Sequence, residues 1–163
     1  MDIIFYNNDK SVFNFRTCGV IFDGRKVLLH RRKIDDFWAL VGGRVQMLES
    51  SDCALKREIK EELGEDIEIN RLLWTVEQFF TINDKSYHEI STIYLLSLQS
   101  ESWILNQKGP FNGPEGERLI YKWFNIDELN NINIKPGFLK EKLKSLPNYP
   151  DQIINNEINY VNS

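Results

Sequence analysis

The sequence contains little cysteine and no long apolar run, and both absences narrow what the protein can be. Its two cysteines, Cys18 and Cys53, lie in separate segments and form no CxxC pair. Two isolated cysteines in a chain of this length argue against a disulfide framework or a zinc site. No apolar run reaches the roughly eighteen residues of a membrane span, and the N terminus lacks the basic and apolar regions of a signal peptide. We therefore predict a cytoplasmic protein that does not bind a membrane.

The charge balance gives no sign of a nucleic-acid-binding surface. The chain carries 20 basic and 24 acidic residues, a net charge of −4, whereas proteins that bind nucleic acid usually carry a basic face. An anionic ligand would therefore have to be met by local charge, such as a metal ion or a few Arg and Lys side chains. We expect a small-molecule partner and no nucleic acid polymer.

Length and patterning predict one α/β domain. The 163 residues, 42% of them hydrophobic, suffice for a single core. We place that core at about 13–145, followed by a C-terminal tail at 146–163. Strands alternate with a few helices, and hairpin turns such as Asp23-Gly24 are frequent, which favours a mixed sheet with helices packed on it. The predicted strands are 13–22, 26–31, 37–46, 66–80, 86–98 and 118–125, the predicted helices are 50–63 and about 137–145, and 107–117 is predicted to be a loop.

The predicted helix at 50–63 carries an unusual concentration of acidic residues. Glu58, Glu61 and Glu62 stand at spacings of three and four, so they share one helical face. Leu55, Ile59 and Leu63 follow at i+4 steps and form a neighbouring apolar stripe. Such an acidic face is often simply solvated, but hard oxygen ligands at this spacing also suit Mg²⁺ or Mn²⁺.

The wider pattern around this helix favours the metal-binding interpretation. The segment resembles the Nudix box, G-x5-E-x7-R-E-U-x-E-E-x-G-U, in which U is aliphatic. The matching positions are Gly43, Glu49, Arg57, Glu58, Ile59, Glu61, Glu62 and Gly64, whereas Glu65 replaces the last aliphatic residue. The flanking strands are also similar to those of the family over about 13–145. The resemblance implies a Nudix-like α/β/α sandwich and hydrolysis of a nucleoside diphosphate linked to another group, by water attack on phosphorus.

The resemblance also implies roles for individual box residues. Glu58, Glu61 and Glu62, with the carbonyl of Gly43, are the expected ligands of Mg²⁺ or Mn²⁺. Arg57 belongs to the catalytic set but is expected to hold carboxylates in place, above all Glu49, by bidentate pairing. Gly64 is expected to end the helix. The general base is left open among the box glutamates and three later acids, which are Glu89, Glu115 and Glu117.

Substrate recognition is less well defined by the sequence. Arg31 and Arg32 could contact phosphates, and Trp38 could stack on a base, although charged strand ends are often solvated and strand aromatics are often in the core. Family members that cleave ADP-ribose usually carry a proline shortly after the box, and none occurs at 78–81. This absence favours a nucleoside triphosphate or a related nucleotide.

Two functions of different classes remain open at this point. One is an active pyrophosphohydrolase, and the other is a Nudix-fold nucleotide-binding or sensor domain without turnover. Sensor domains commonly lose box carboxylates, and all three are present here, so we favour the enzyme. The oligomeric state is not defined by the sequence, and a homodimer is one option.

Overall fold

A single large mixed β-sheet dominates the computed structural model, which describes residues 1–7 and 10–158. Its strands are β1 (Ile4–Asn7), β2 (Ser11–Asp23), β3 (Lys26–Arg32), β4 (Ala39–Arg44), β5 (Ile67–Ile82), β6 (Lys85–Leu98), β7 (Phe111–Gly113), β8 (Gly116–Asn125) and β9 (Asp151–Asn156). The helices are α1 (Ser51–Leu63) and α2 (Leu139–Lys142), with 3-10 turns at Trp103–Asn106 and Ile126–Asn131. None of the helices in these described residues is long and apolar enough to cross a membrane.

The strand order places the first half of the chain at the centre of the sheet. It runs β7-β8-β3-β4-β2-β6-β5-β9, with β1 paired to β2 and a short additional pairing between β2 and β3. Two pairs of neighbours, β2 with β6 and β5 with β9, are parallel, and the others are antiparallel. The predicted mixed sheet is therefore confirmed.

Adjacent apolar residues in the central strands explain why both faces of the sheet are covered. Successive side chains of a strand point to opposite faces. Val20 joins one hydrophobic cluster and Ile21 joins the other; Leu29 and Leu28 divide in the same way. The first cluster includes Leu129, Leu139 and Leu143 of the C-terminal helical segments, whereas the second includes Leu55, Ile59 and Leu63 of α1. The result is the expected α/β/α layering.

The structure corrects the sequence-based prediction mainly at the sheet edges. The predicted loop at 107–117 contains β7, and α2 is much shorter than the predicted helix at 137–145. At both ends of the chain, β1 and β9 had not been predicted as strands, because neither has a clear alternating pattern and each is defined by its pairing partner. The last five residues of the predicted tail, 159–163, lie outside the described residues.

Candidate active site

Helix α1 is held against the sheet by its apolar stripe. Leu55, Ile59 and Leu63 are all fully buried, as the i+4 spacing predicted. The helix ends at Gly64, which adopts a left-handed conformation (φ 72°) and donates its N–H to the carbonyl of Lys60 at 3.0 Å. A residue without Cβ adopts this conformation at little cost. The acidic positions of α1 are thereby fixed relative to the strands beneath them.

Gly43 on β4 lies directly against the carboxylate of Glu58. A methyl group at this position would overlap the Glu58 carboxyl group. The Glu58 side chain is 16% exposed, so it is held in a narrow space between α1 and β4. Only glycine leaves this space free, and the arrangement brings the backbone of Gly43 close to a carboxylate that can bind a cation.

Arg57 connects the loop before α1 with the acidic residues on the helix. Its Nε and Nη2 donate to the two carboxylate oxygens of Glu49 at 2.8 and 2.9 Å. Its Nη1 donates to Glu58 at 2.7 Å and to Glu61 at 3.4 Å, and Nη2 also reaches the carbonyl of Arg44 at 3.1 Å. The hydrogen bonds from Arg57 lower the pKa of Glu49, and Glu49 in turn raises the pKa of Arg57. The expected Arg57–Glu49 fork is present in the structure.

Glu62 occupies a separate, more enclosed position. Its side chain is 8% exposed, and its Oε2 accepts a hydrogen bond from the hydroxyl of Tyr121 at 3.2 Å. The Nδ1 atom of His30 lies 4.0 Å from the same oxygen, and a nitrogen of Arg118 lies 3.5 Å from Oε1. Burial lowers the pKa of His30 to about 3, so this imidazole is neutral at neutral pH and does not form an ion pair with Glu62.

The surroundings of Glu62 disfavour its ionised form when no cation is bound. Burial raises the pKa of Glu62 to about 7, and the negative charges of Glu58 and Glu115 act in the same direction. The hydrogen bond from Tyr121 and the charge of Arg118 oppose this shift without cancelling it. A carboxylate in such a position is stabilised by an added positive charge.

The acidic side chains provide only part of a metal shell. Within the described ranges, no three acidic, histidine or cysteine side chains converge closely enough to hold an ion by themselves. Arg57 binds Glu58 and Glu61, while Glu62 turns towards Tyr121, so the shared face predicted from spacing divides into two parts. Oxygen donors that leave most positions to water and substrate phosphates fit a hard divalent cation such as Mg²⁺.

Of the later acids proposed as general base, Glu115 shares a partner with Glu62 of this cluster. Glu115 accepts two hydrogen bonds of 3.1 Å from the nitrogen of Arg118 that also approaches Glu62. Glu117 instead forms an exposed ion pair with Lys33 at 3.3 Å. Arg118 was not singled out from the sequence, because only the position of β8 beside α1 reveals its role.

The three residues proposed for substrate contact are occupied by other contacts. Arg32 forms a bidentate pair with Asp35, and Arg31 donates to the carbonyl of Asp35 at 2.8 Å. The guanidinium of Arg31 lies 5.2 Å from the ring centroid of Trp38, and Trp38 packs edge-on against Phe124. These contacts fix the turn between β3 and β4, and none of the three residues is part of the lining of the cavity described next.

A cavity of about 180 Å³, which was not predicted from the sequence, lies on the face of the sheet opposite α1, among residues of the first hydrophobic cluster. Arg16 of β2 connects this cavity with the acidic cluster, since it lines the cavity and pairs in register with Arg44, the residue after Gly43. Burial by itself lowers the pKa of Arg16, but nearby carboxylates, first Glu89 and then Glu58, outweigh it and raise the pKa. The walls of the cavity are largely apolar, and Glu89 is one of the polar residues that line it.

The position of the carboxylates of α1 and the fork that holds the loop before it agree with the Nudix box found in the sequence. The chain belongs to the NUDIX domain family, whose model matches residues 13–146. Nudix hydrolases generally need divalent metal cations.

Two relatives are similar to this chain in sequence, and a solved structure is similar to it in fold. The chain is 33% identical over 100 residues to a nucleoside triphosphatase NudI of Enterobacter sp. (strain 638), covering 60% of this chain and 67% of that protein. It is 29% identical to an 8-oxo-dGTP diphosphatase of Buchnera aphidicola subsp. Schizaphis graminum, covering 71% and 79%. A crystal structure of an ADP-ribose pyrophosphatase from Streptococcus suis matches in fold, with a TM-score of 0.58, 19% identity and coverage of 86% and 98%.

Proposed function

We propose that this Nudix hydrolase cleaves the diphosphate linkage of a nucleoside triphosphate or a closely related nucleotide, with Mg²⁺ or Mn²⁺ as the cation. The observation that carries the proposal is the contact of Glu58 with Gly43, fixed by the Arg57 fork to Glu49. This contact brings a carboxylate and a backbone segment of β4 together, and Arg16 on the neighbouring strand β2 lines a cavity that could hold part of a nucleoside. The names of the two relatives described above, a nucleoside triphosphatase and an 8-oxo-dGTP diphosphatase, support the substrate class.

In the proposed reaction, the chain supplies oxygen ligands and fixed geometry. Glu58 and Glu62 would be the main ligands, with the carbonyl of Gly43, while the more exposed Glu61 (59% exposed side chain) would act directly or through water. A bound divalent cation would lower the pKa of the attacking water and neutralise charge on the phosphate oxygens. Arg57 would keep Glu58 in place and would not itself contact substrate.

The general base is proposed to be Glu115. Its carboxylate lies on the segment between β7 and β8 and shares Arg118 with Glu62, so it is near the reacting groups before substrate binds. A base must come within hydrogen-bonding distance of the water that it deprotonates. When phosphates and a cation occupy the site, Arg118 would bind a phosphate in place of the Glu115 carboxylate. Glu115 would then be free to act as the base.

A second set of proposals concerns the protein as a whole. We propose that the chain acts as a single Nudix-like domain in the cytoplasm, on free nucleotides and not on nucleic acid polymers. Limited proteolysis tests the single domain, and light scattering after size exclusion distinguishes a monomer from a homodimer. A catalytically silent sensor is less favoured, because the three box carboxylates are retained and the relatives above are named as enzymes.

The activity is tested by incubating the purified protein with Mg²⁺ and a panel of nucleotides. We expect release of pyrophosphate from nucleoside triphosphates, detected with a coupled pyrophosphatase and phosphate assay. Glu58→Gln serves as the inactive control, since it keeps the size of the side chain and removes its charge. The proposal is wrong if no phosphoanhydride substrate is cleaved, or if Glu58→Gln cleaves as fast as the native chain.

A further inference from the structure

The lining of the cavity contains three buried polar side chains that the proposed mechanism does not use. They are Gln78, Glu89 and Ser91, which are 7%, 6% and 4% exposed. Gln78 on β5 is the register partner of Glu89 on β6, and Ser91 lies two residues further along β6 on the same face. Burying a carboxylate costs free energy unless other groups compensate for its lost hydration. Polar groups of this kind give the apolar cavity a fixed point at which a ligand can form hydrogen bonds.

The hydrogen bonds to Glu89 are unevenly distributed over its two oxygens. The amide of Gln78 donates to Oε1 at 2.6 Å, and the hydroxyl of Ser91 donates to the same oxygen at 2.9 Å. Among the described residues, no group donates a hydrogen bond to Oε2 of Glu89. Its carboxylate is thus fixed in orientation by two neighbours, and Oε2 keeps both of its lone pairs for donors in the cavity.

The positive charge of Arg16 lies beside this acceptor. Arg16 and Glu89 line the same cavity, and Arg16 of β2 is the register partner of Ser91 of β6, two residues from Glu89 on the same face. The cavity therefore offers an acceptor and a donor next to each other. A complementary ligand has N–H donors adjacent to a carbonyl oxygen.

Among the nucleobases, guanine fits this pattern best. Its N1–H and N2 amino group point the same way and can both donate to a single carboxylate oxygen such as Oε2, and its O6 carbonyl lies beside them for an arginine. Adenine and cytosine place a ring-nitrogen acceptor next to their amino group, and uracil places carbonyls on both sides of its single N–H. Each of these would bring an acceptor towards Glu89.

We propose that the cavity recognises a guanine-type base, with Glu89 accepting its N–H groups and Arg16 donating to its carbonyl oxygen. This inference rests on the proposed function and names the substrate class of that same site. The volume of about 180 Å³ is below the range of about 300–1,000 Å³ that drug-sized ligands fill, so the cavity suits a base and not a whole nucleotide. The aromatic rings of Phe37 and Phe80 line it and provide flat apolar surface for a planar ring.

The test is the binding of GMP, AMP, CMP and UMP without metal, followed by tryptophan fluorescence or by ligand-observed NMR. We expect GMP to bind about tenfold to a hundredfold more tightly than the other three, the effect of one or two hydrogen bonds to a charged group. Glu89→Gln should lose this preference. The matched control is Glu77→Gln, because Glu77 lies on β5 outside the cavity lining, where it contacts His88 at 2.8 Å.

The outcomes separate this inference from the proposed function. Equal binding of the four monophosphates by the native chain overturns the inference, even if triphosphates are hydrolysed. A preference for GMP that Glu89→Gln retains also overturns it. Selective GMP binding that Glu89→Gln loses supports the inference even where no triphosphate is cleaved, and in that case only the proposed function fails. If Glu89→Gln does not fold in a thermal melt, the affinities of the native chain and of Glu77→Gln for the four monophosphates are compared. A preference for GMP in both then supports the inference, and equal affinities overturn it.

Discussion

Arg57 and Glu49 are joined by two parallel hydrogen bonds of 2.8 and 2.9 Å across eight residues of sequence, from helix α1 to the loop before it. Both side chains are largely buried, at 23% and 18% exposure. The same guanidinium also binds Glu58. The position of a metal-binding carboxylate is therefore coupled to the conformation of the loop that follows Gly43.

This coupling predicts that Arg57→Ala and Glu49→Ala each weaken both the fold and the activity. Each should lower the free energy of unfolding by about 1–3 kcal/mol, because a partly buried partner loses its hydrogen bonds. Displacement of Glu58 should also slow turnover, by up to about 100-fold. Thermal melts and metal-titrated kinetics on both variants and on the double variant provide the measurement. A double variant barely worse than either single one indicates a clamp, whereas strictly additive losses would show that the two residues act separately.

The contact between Gly43 and Glu58 predicts a loss of activity without loss of the fold. In Gly43→Ala the new methyl group overlaps the Glu58 carboxylate, so the end of a side chain must move while the backbone can stay. We expect weaker Mn²⁺ binding and a lower kcat, with a melting temperature close to that of the native chain. Gly109→Ala is the matched control, since nothing lies within 4 Å of its added methyl group. Native metal affinity in Gly43→Ala would contradict this account.

The environment of Glu62 predicts an unusual pH dependence of stability in the metal-free protein. Its pKa rises from 4.5 to about 7 on folding, so the folded state binds the proton more tightly than the unfolded state. The resulting stabilisation is complete below pH 4.5 and is lost as the pH rises through about 7. Glu62→Gln should remove this dependence and be more stable than the native chain above pH 7, by roughly 1–3 kcal/mol. Identical pH profiles of chemical denaturation in the two proteins would contradict the prediction.

The proposed base predicts different effects for two neighbouring acids. Glu115→Gln should lower kcat by about 100-fold or more, as expected for the loss of a general base, with little change in metal binding. Glu117→Gln should change kcat less than twofold, because Glu117 forms only an exposed ion pair with Lys33, and such pairs contribute about 0–1 kcal/mol. Equal kinetics of both variants would exclude Glu115 as the base.

The sequence predicted those parts of the site that depend on local spacing. The helix and its buried stripe of Leu55, Ile59 and Leu63 follow from distances along the chain, whereas the pairing of Arg57 with Glu49 was expected from the resemblance to the Nudix box. Helical spacing also predicted that the three glutamates of α1 share one face. In the structure Glu58 and Glu61 bind Arg57, whereas Glu62 binds Tyr121, so the face is divided. Partners of this kind come from other strands and cannot be deduced from the spacing on α1.

The parts that the sequence did not predict depend on strand pairing. Tyr121 and Arg118 reach Glu62 only because β8 pairs with β3 near α1. The cavity arises where β2, β5 and β6 meet the C-terminal segment, and Glu89 acquires its partners from the register of two long strands. No local pattern in the sequence encodes such a register.

The central claim, that the carboxylates of α1 hold a divalent cation for diphosphate cleavage, is tested most directly by one comparison. Pyrophosphate release from nucleoside triphosphates is measured for the native chain and for Glu62→Gln, first after thorough treatment with EDTA and then with Mg²⁺ restored. We predict no turnover of the native chain in EDTA, full recovery with Mg²⁺, and no recovery in Glu62→Gln. Undiminished turnover in EDTA, or native turnover in Glu62→Gln, would contradict the account.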